Sequence, residues 1–376
     1  MTIPRRTLAG LLAAATLAHR ASAQTQAQTT ATSGPAAANS GGAALEQVAQ
    51  FDQQVTGVAV SKTGRVFVNF PRWEQDVPVS VAEVMKDGSL RPYPNAEWNA
   101  WRNEAKLSNA DHFVCVQSVT IDPQGYLWVV DPAAPGNEFN LDGGPKILKI
   151  DLNGDKVVKV IRFDRTAVPQ GSYLNDIRVS PDGRTGYMTD SGVKGALIVV
   201  DLGTGKAQRV LDGHPSTQVD PSVKVQADGK PLKRPDNRGP MFAADGIALD
   251  PKGEYLYWQA LTGNTLYRIA TKALQTPAKA ASAIEKLGTT CVADGYWMDA
   301  KGRLFITSPE DNSVKRREVD GKLQIVAQDD RLRWPDSMAE GADGILYVTA
   351  SHIQDMAQFT AAPRKGQTQL FRFKPA

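Results

Sequence analysis

Residues 239–269 read Gly-Pro-Met-Phe-Ala-Ala-Asp-Gly-Ile-Ala-Leu-Asp-Pro-Lys-Gly-Glu-Tyr-Leu-Tyr-Trp-Gln-Ala-Leu-Thr-Gly-Asn-Thr-Leu-Tyr-Arg-Ile. The apolar runs in this stretch are interrupted by Asp-Pro-Lys-Gly and by Thr-Gly-Asn, which are turn-forming sequences. The pattern therefore predicts three short strands joined by tight turns. Asp245 stands immediately before the first of these strands.

The same hairpin form occurs six times along the chain. Each copy has a glycine at its turn, where a positive φ is needed, and strand-forming residues on both sides of it. The six copies are residues 57–68, 118–129, 176–188, 246–257, 295–306 and 337–348. Tandem repeats that each form a small antiparallel sheet are typical of a β-propeller. The sequence therefore predicts an all-β protein, a six-bladed β-propeller, and the equal form of the hairpins disfavours a two-sheet sandwich.

Three segments with different compositions predict the domain organisation. Residues 1–23 have paired arginines, a short apolar core and an Ala-Ser-Ala cleavage signal, which together predict an export signal peptide. Residues 24–44 are mostly Gln, Thr, Ala, Ser and Gly, so we expect a flexible linker. Residues 45–376 are assigned to the propeller, and we expect 45–51 to add a strand to the last blade and close the ring.

The leader indicates where the protein acts. Its apolar stretch is too short to cross a bilayer, so we expect no transmembrane segment in the mature chain. Arg5 and Arg6 favour the twin-arginine export route, with a general secretory leader as the alternative. The expected location is therefore periplasmic or secreted.

Charge and cysteine content narrow the class of protein. The net charge of +3 belongs to the leader, which carries three arginines and no acid. The remaining chain has no basic excess, so we expect no nucleic-acid partner. Two cysteines, Cys115 and Cys291, are too few for a disulfide scaffold. Unpaired buried thiols are the favoured interpretation, and a single disulfide is the alternative.

The residue just before each inner strand is the main candidate for chemistry, because inner strands line the central channel of a propeller. Aligned on the turn glycine, these six ring residues are Thr56, Gln117, Asn175, Asp245, Asp294 and Asp336. Converging carboxylates repel one another unless a cation or hydrogen-bond donors lie among them. Oxygen ligands without clustered His or Cys suit a hard cation, with Ca²⁺ favoured and Mg²⁺, Mn²⁺ or Zn²⁺ as alternatives.

We therefore expect Asn175, Asp245 and Asp294 to hold a divalent metal, with Asp294 and Asp245 as the catalytic residues. Gln117, Asp336 and Trp73 are expected to bind the substrate. The competing interpretation is structural, because Asx residues often cap turns and Asp-Gly is a common turn pair. His112, His214 and His352 are too scattered in sequence to form a motif.

Two long insertions, residues 70–111 and 214–238, are expected to lie over one face as a lid. The first contains Trp73, Trp98 and Trp101, which could cover a ligand at the channel mouth.

Several motifs resemble those of the major royal jelly protein and yellow family, in the expected order over essentially the whole mature chain. The segments that carry the resemblance are residues 67–73, 90–95, 125–131, 176–191, 246–251, 256–267, 334–340 and 346–351. The resemblance implies a secreted six-bladed propeller. Its yellow-type members are associated with conversion of dopachrome-like quinones, and its royal jelly members with nutrition and lipid binding.

A more distant resemblance is to the senescence marker and gluconolactonase family of metal-dependent lactonases. Asn175, Asp245 and Asp294 are similar in position to that family's Asn, Asn and Asp metal ligands. The chain departs from the pattern twice, because Thr56-Gly57 replaces the first-blade Glu ligand and Asp245 replaces the middle Asn.

Three functions follow as hypotheses. The first is a metal-dependent, lactonase-like hydrolase for a small sugar-type substrate, with one aspartate as base. The alternatives are a protein that binds a small ligand without catalysis and a yellow-like enzyme that converts dopachrome or a related quinone. A small-molecule substrate or ligand is the expected partner in each case.

Overall fold

The computed structural model describes residues 42–74, 76–104, 107–137, 139–362, 364 and 366–375. The export signal and nearly all of the linker predicted from the sequence lie outside these residues. The described chain forms six four-stranded antiparallel sheets arranged as the blades of a propeller, together with one two-stranded hairpin. The prediction of an all-β, six-bladed β-propeller is confirmed.

The first strand, β1 (Glu46–Phe51), precedes blade 1 in sequence but does not belong to it. The strands of blade 1 are β2 (Val58–Val60), β3 (Val66–Asn69), β4 (Val81–Val84) and β5 (Leu90–Pro92). Blade 2 contains β6 (Ser118–Ile121), β7 (Tyr126–Asp131), β8 (Lys146–Asp151) and β9 (Lys156–Arg162). Blade 3 contains β10 (Leu174–Val179), β11 (Thr185–Asp190), β12 (Ala196–Asp201) and β13 (Ala207–Val210).

A small hairpin, β14 (Gln226–Ala227) and β15 (Lys230–Pro231), lies between blades 3 and 4. Blade 4 contains β16 (Ala244–Leu249), β17 (Tyr255–Ala260), β18 (Thr265–Ala270) and β19 (Ile284–Thr289). Blade 5 contains β20 (Tyr296–Met298), β21 (Leu304–Ser308), β22 (Ser313–Arg317) and β23 (Leu323–Gln328). Blade 6 contains β24 (Pro335–Glu340), β25 (Leu346–Ala350) and β26 (Thr368–Phe373), with β1 as its outer strand.

The helices are short and lie outside the sheets. Two α-helices, α1 (Thr271–Leu274) and α2 (Pro277–Ala280), join the last two strands of blade 4. The 3-10 turns are Pro135–Asn137, Pro215–Thr217, Ala281–Ala283 and Ile353–Asp355. No helix in the described part of the chain is long and apolar enough to span a membrane.

Closure of the ring joins the two ends of the propeller domain. Strand β1 pairs antiparallel with β26, from Glu46 opposite Arg372 to Phe51 opposite Thr368. Phe51 also contacts Phe70 of blade 1 edge to face, with ring centroids 5.3 Å apart. The closing strand is therefore fixed by backbone hydrogen bonds on one side and by aromatic packing toward the next blade.

Apolar side chains fill each of the six spaces between neighbouring blades. Between blades 3 and 4, for example, Leu197 and Val210 pack against Ile247 and Trp258. Equivalent clusters lie at the other five interfaces. Burial of these side chains supplies the main favourable term for the fold.

The turn glycines behave as the sequence predicted. All six have positive φ, from 69° at Gly344 to 89° at Gly125. Most other residues would be strained in this conformation, so the glycines fix the hairpin turns and the register of the strands.

Hydrogen bonds connect neighbouring blades at the ring residues. Four hydroxyls each donate to the backbone carbonyl of a ring residue on the next blade. The donors and acceptors are Thr56 to Gln117 (2.8 Å), Ser118 to Asn175 (2.6 Å), Thr189 to Asp245 (2.7 Å) and Thr349 to Thr56 (2.6 Å). These bonds fix the backbone at the positions from which the candidate side chains project.

In two of the Asp-Gly pairs, the glycine does not form a turn but allows the inner strands of neighbouring blades to pack closely. A Cβ added at Gly246 would lie 2.7 Å from the carbonyl oxygen of Asp294 on the next blade. At Gly295 it would lie 2.0 Å from the carbonyl oxygen of Asp336. A side chain at either position would separate the inner strands, so glycine must follow Asp245 and Asp294.

The first insertion differs from the prediction. Residues 70–111 contain β4 and β5, which complete blade 1, so only the remainder forms loops. These strands are short and lack a regular alternation of apolar and polar residues, so the sequence pattern did not predict them. Residues 211–243, named here the roof segment, connect blades 3 and 4 and contain the β14–β15 hairpin.

Replacement of Phe51 by Ala should weaken ring closure. The side chain is buried at the junction of blades 6 and 1, so we expect a loss of about 3–5 kcal/mol in the free energy of unfolding. Urea denaturation provides the measurement. Gln50→Ala, an exposed position on the same strand, is the control and should change stability by less than about 0.5 kcal/mol. Equal small losses for both variants would contradict the proposed importance of this junction.

Candidate functional site

A cavity of about 420 Å³ lies at the N-terminal ends of the inner strands. Five of the six ring residues line it: Gln117, Asn175, Asp245, Asp294 and Asp336. Trp73, the third residue predicted to bind substrate, also lines it. The volume lies within the range of about 300–1,000 Å³ that is usual for small-molecule sites.

Thr56 is not part of the cavity wall. Its side chain is completely buried, and its hydroxyl accepts a hydrogen bond from Asn69 Nδ2 at 2.8 Å while donating to the carbonyl of Gln117. Thr56 therefore connects blades 1 and 2, and its hydroxyl oxygen is not available to coordinate a metal or bind a ligand in the cavity.

A chain of hydrogen bonds crosses the floor of the cavity. Trp73 Nε1 donates to Tyr173 Oη at 2.5 Å, and Tyr173 Oη donates to Gln117 Oε1 at 2.9 Å. Gln117 Nε2 lies 3.5 Å from Asn175 Oδ1, and Asn175 Nδ2 donates to Asp245 Oδ2 at 2.8 Å. The chain fixes the orientation of the Gln117 and Asn175 amides and ends at a carboxyl group.

Asp245 and Asp294 form an interacting pair of buried carboxyl groups. Burial, followed by the charge of Asp294, raises the pKa of Asp245 well above its usual range. Burial raises the pKa of Asp294 to about 7, while the hydrogen bond from Trp334 acts to lower it. A hydrogen bond between the two carboxyl groups raises the pKa of Asp245 and lowers that of Asp294. The two carboxyl groups therefore titrate as an interacting pair whose pKa values both lie above the usual range of an aspartate.

Asp336 is the third buried acid of the floor. It accepts hydrogen bonds from Ser351 Oγ at 2.9 Å and from Ser337 Oγ at 3.0 Å. Burial and then the charge of Asp294 raise its pKa well above the usual range, although the two serine bonds act in the opposite direction. Burial therefore raises the pKa values of all three acids of the floor.

Two functional residues were missed by the sequence reasoning. Tyr173 and Trp334 each precede a ring residue by two positions and reach back to the ring residue of the preceding blade. Trp334 Nε1 donates to Asp294 Oδ2 at 2.6 Å. A comparison of the residues two positions before each ring residue would have identified both aromatic side chains.

Trp334 adopts an unfavourable backbone conformation. Its φ is 53°, a left-handed value that is uncommon for a bulky residue. The side chain is fully buried in a cluster with Val225, Ala227 and Leu232 of the roof segment. Strained residues concentrate at functional sites, and this one connects the roof of the cavity to Asp294.

Aromatic and apolar side chains form much of the cavity wall. They are Trp73, Tyr173, Met241, Phe242, Leu261, Ile353 and Met356. Flat aromatic surfaces of this kind suit a planar ligand, and the polar floor would orient it.

The roof segment is tied to blade 6 by an ion-pair network. Arg333 donates to Asp228 Oδ2 of the β14–β15 turn at 2.7 Å and to Asp355 Oδ2 at 2.6 Å. Arg333 also donates to His352 Nδ1 at 3.2 Å, so that nitrogen acts as an acceptor. The roof segment is therefore held against the loop that follows β25.

Other predicted residues lie away from the cavity. Trp98 packs against Phe113, and Trp101 is buried with its Nε1 bonded to Asn109. These two tryptophans therefore stabilise the blade 1 to blade 2 connection and do not cover a ligand. His112 and His214 bond to neighbouring loop atoms.

Both cysteines are free, as the favoured interpretation held. Burial raises the pKa of the Cys115 thiol to about 12 and also raises that of Cys291. Neither thiol is poised to act as a nucleophile.

The residues of the expected metal site have the right ligand atoms, but two of these atoms already accept hydrogen bonds. Asn175, Asp245 and Asp294 present oxygen atoms on adjacent blades, which fits a hard cation in ligand type. Within the described ranges, no group of three or more His, Cys, Asp or Glu side chains is placed to hold a metal ion. Asn175 and Trp334 already donate hydrogen bonds to two of the carboxyl oxygens. These residues would hold a cation only with rearrangement of the two donors.

Comparison with known proteins identifies the family of this chain. The family model described as "Major royal jelly protein" matches residues 114–373. The chain is 26% identical to major royal jelly protein 5 of Apis mellifera over 224 residues, which is 56% of this chain and 34% of that protein. It is 28% identical to the dopaminechrome tautomerase of Drosophila melanogaster over 160 residues, 39% of this chain and 34% of that protein. The chain thus spans about a third of the length of these relatives.

Solved structures show the same architecture at low sequence identity. A gluconolactonase of Xanthomonas campestris superposes with a TM-score of 0.55 and 14% identity, covering 90% of this chain and 92% of that one. The calcium-binding protein regucalcin of Agrobacterium tumefaciens gives a TM-score of 0.53 and 15% identity, covering 88% of this chain and 94% of that one. These likenesses establish the fold alone.

The expected resemblance to the major royal jelly protein and yellow family is confirmed, and the more distant likeness to gluconolactonase-type propellers holds at the level of the fold. The match extends from the loop before β6 to the end of β26, which includes blades 2 to 5, three of the four strands of blade 6 and five of the six ring residues. The chain belongs to the major royal jelly protein family.

Proposed function

We propose that this protein is a proton-transfer isomerase, a tautomerase, that acts on a small planar oxidised catechol. The observation that carries the proposal is the pair of buried, interacting carboxyl groups, Asp245 and Asp294, on the floor of a cavity with aromatic walls. In the proposed mechanism these two groups share one proton. Tautomerisation moves one proton from carbon to oxygen without net oxidation, so it needs a base and an acid in one site.

Asp294 is the base in this proposal. Its pKa of about 7 lets it ionise near neutral pH, and the N–H of Trp334 stabilises the ionised form. A base with this pKa is well matched to proton abstraction at physiological pH. Asp294 takes the proton as the substrate C–H bond breaks.

Asp245 is the acid. Its pKa is raised well above the usual range, which favours the protonated form, and Asn175 Nδ2 donates to its Oδ2 and holds the side chain in place. The proton of Asp245 forms the new O–H bond on the quinone oxygen. Because the two carboxyl groups are in contact, the proton taken by Asp294 then returns to Asp245, which restores the starting state.

The tautomerase relatives support this assignment. In addition to the dopaminechrome tautomerase, the L-dopachrome tautomerase yellow-f of Drosophila melanogaster is 29% identical over 131 residues, 32% of this chain and 29% of that protein. The wall residues Trp73, Tyr173 and Phe242 fit a flat bicyclic substrate.

A metal-dependent hydrolase of lactonase type is the second candidate. The observation in its favour is that Asn175, Asp245 and Asp294 meet on three successive blades, as the gluconolactonase resemblance implies. A hard cation such as Ca²⁺ would replace the shared proton and relieve the repulsion between the acids. When bound, it would polarise a lactone carbonyl and acidify a water molecule.

Export of the protein is part of the proposal. The leader expected for residues 1–23 supports a periplasmic or secreted location, with the twin-arginine route favoured by its paired arginines.

Replacement of Asp294 by Asn should abolish tautomerase activity. The variant keeps the shape of the side chain but loses the base, so we expect kcat/KM for dopachrome-type substrates to fall by roughly 100-fold or more. Loss of substrate absorbance, corrected for the spontaneous reaction, is the measurement. Asp330→Asn, at an exposed site away from the cavity, should retain wild-type activity. A wild-type rate no faster than the spontaneous rate would end the proposal.

The pH dependence should report the Asp294 carboxyl. Its raised pKa means that it is protonated and inactive below about 7 and becomes a base above it. We therefore expect kcat/KM to rise with pH and to reach half its plateau near 7, as an apparent value of the carboxyl pair. A midpoint near 4, the usual value for an aspartate, would show that the pair does not control the reaction.

Metal titration separates the two candidates. For the hydrolase, Ca²⁺ at 100 times its dissociation constant should stabilise chelator-treated protein by about 2.7 kcal/mol and restore turnover of sugar lactones. Asp294→Ala should remove both effects. Tautomerase activity that is unchanged by chelator, with no lactone turnover at any Ca²⁺ concentration, would exclude the metal-dependent reaction.

A further inference from the structure

Arg234 of the roof segment is a cation at the cavity wall without an ionic partner. Its side chain lines the cavity, and its Nε is buried with no hydrogen-bond partner among the described residues. A buried donor without a partner is costly, so such a group calls for an explanation.

The other cation of the wall differs in this respect. Arg238 is paired with Asp236, with Nε 2.7 Å and a terminal nitrogen 2.6 Å from Oδ2. Arg234 forms no salt bridge with any residue in the described ranges, although its charge helps to lower the pKa of Asp236. Arg234 is thus the wall cation whose guanidinium remains available to a ligand.

The backbone holds Arg234 in a fixed position. The Arg234 N–H donates to the carbonyl of Arg238 at 2.8 Å, and the Asn237 N–H donates to the carbonyl of Arg234 at 2.9 Å. Two residues earlier, Leu232 is buried in the cluster that contains Trp334. The guanidinium is therefore carried by an anchored turn, which reduces the entropy lost when it binds a ligand.

Arg234 and the acids of the floor line the same cavity. The cavity therefore offers a guanidinium to an anionic group of a ligand in addition to carboxyl groups that can exchange a proton.

We propose that Arg234 binds a carboxylate of the substrate, so that the preferred substrate is an oxidised catechol that carries an acid group. This inference rests on the proposed function, because the buried acids supply the proton transfer. L-dopachrome has such a carboxylate, whereas dopaminechrome lacks it. Arg234 is therefore a specificity residue that selects the carboxylated compound.

Activity on the two substrates tests the assignment. In wild-type protein, kcat/KM should be higher for L-dopachrome than for dopaminechrome. Arg234→Gln should lower kcat/KM for L-dopachrome by roughly 10- to 100-fold, mainly through KM, and change the value for dopaminechrome by less than about threefold. Lys233→Gln removes the same charge from the adjacent exposed position, which does not line the cavity, and should leave both substrates unaffected.

A binding measurement makes the test independent of turnover. Indole-2-carboxylate and its uncharged amide are titrated against wild type, Arg234→Gln and Lys233→Gln by isothermal calorimetry. The carboxylate should bind wild type and Lys233→Gln more tightly than the amide, and this preference should disappear in Arg234→Gln.

The outcomes separate the two claims. Equal losses on both substrates, or no preference for the carboxylate in wild type, would overturn the role of Arg234 while leaving the tautomerase proposal intact. Absence of turnover together with an Arg234-dependent preference for the carboxylate would refute the tautomerase and support the anion site.

Discussion

A carboxyl group that is removed from water and placed beside a second carboxyl group holds its proton more tightly than in solution, and Asp245 meets both conditions beside Asp294. The arrangement opposes folding at neutral pH, because the unfolded chain would ionise both groups freely. Its cost is met by apolar burial at the six interfaces between blades. A fold that maintains such a pair is maintaining a source and an acceptor of protons.

Ring closure creates this contact between residues far apart in sequence. Glycines 246 and 295 let adjacent inner strands approach until the backbones are in contact, and the interblade hydroxyl bonds fix where each ring side chain begins. Trp334 connects the roof segment to this pair, because it packs among residues of the roof segment and donates a hydrogen bond to Asp294. A change in the roof segment would therefore reach the proton-carrying pair through Trp334.

Much of this architecture could be predicted from the sequence. Turn glycines at a constant sequence distance from the ring positions predict six blades and predict that Asn175, Asp245 and Asp294 lie together, as they do in the cavity. The alignment could not show which way a side chain points. Thr56 occupies a ring position yet faces the interblade contact.

The less regular parts of the site escaped prediction for physical reasons. Trp98 and Trp101 belong to the same loop region as Trp73, but their packing against Phe113 and Asn109 is a tertiary property. Arg234 lies in a polar insertion whose course depends on contacts with blade 6. The metal site remains a proposal, since oxygen-rich residue types fit a cation and a shared proton equally well.

The protonation state of the carboxyl pair is the most direct test. Protein labelled with carbon-13 at the aspartate carboxyl groups can be titrated by NMR in the presence of chelator, with Asp245→Asn and Asp294→Asn used for assignment. The account predicts that Asp294 titrates near pH 7 and that Asp245 and Asp336 also titrate well above the usual range of an aspartate. If every aspartate titrated near 4, its usual value, the shared proton and the chemistry assigned to it would be contradicted.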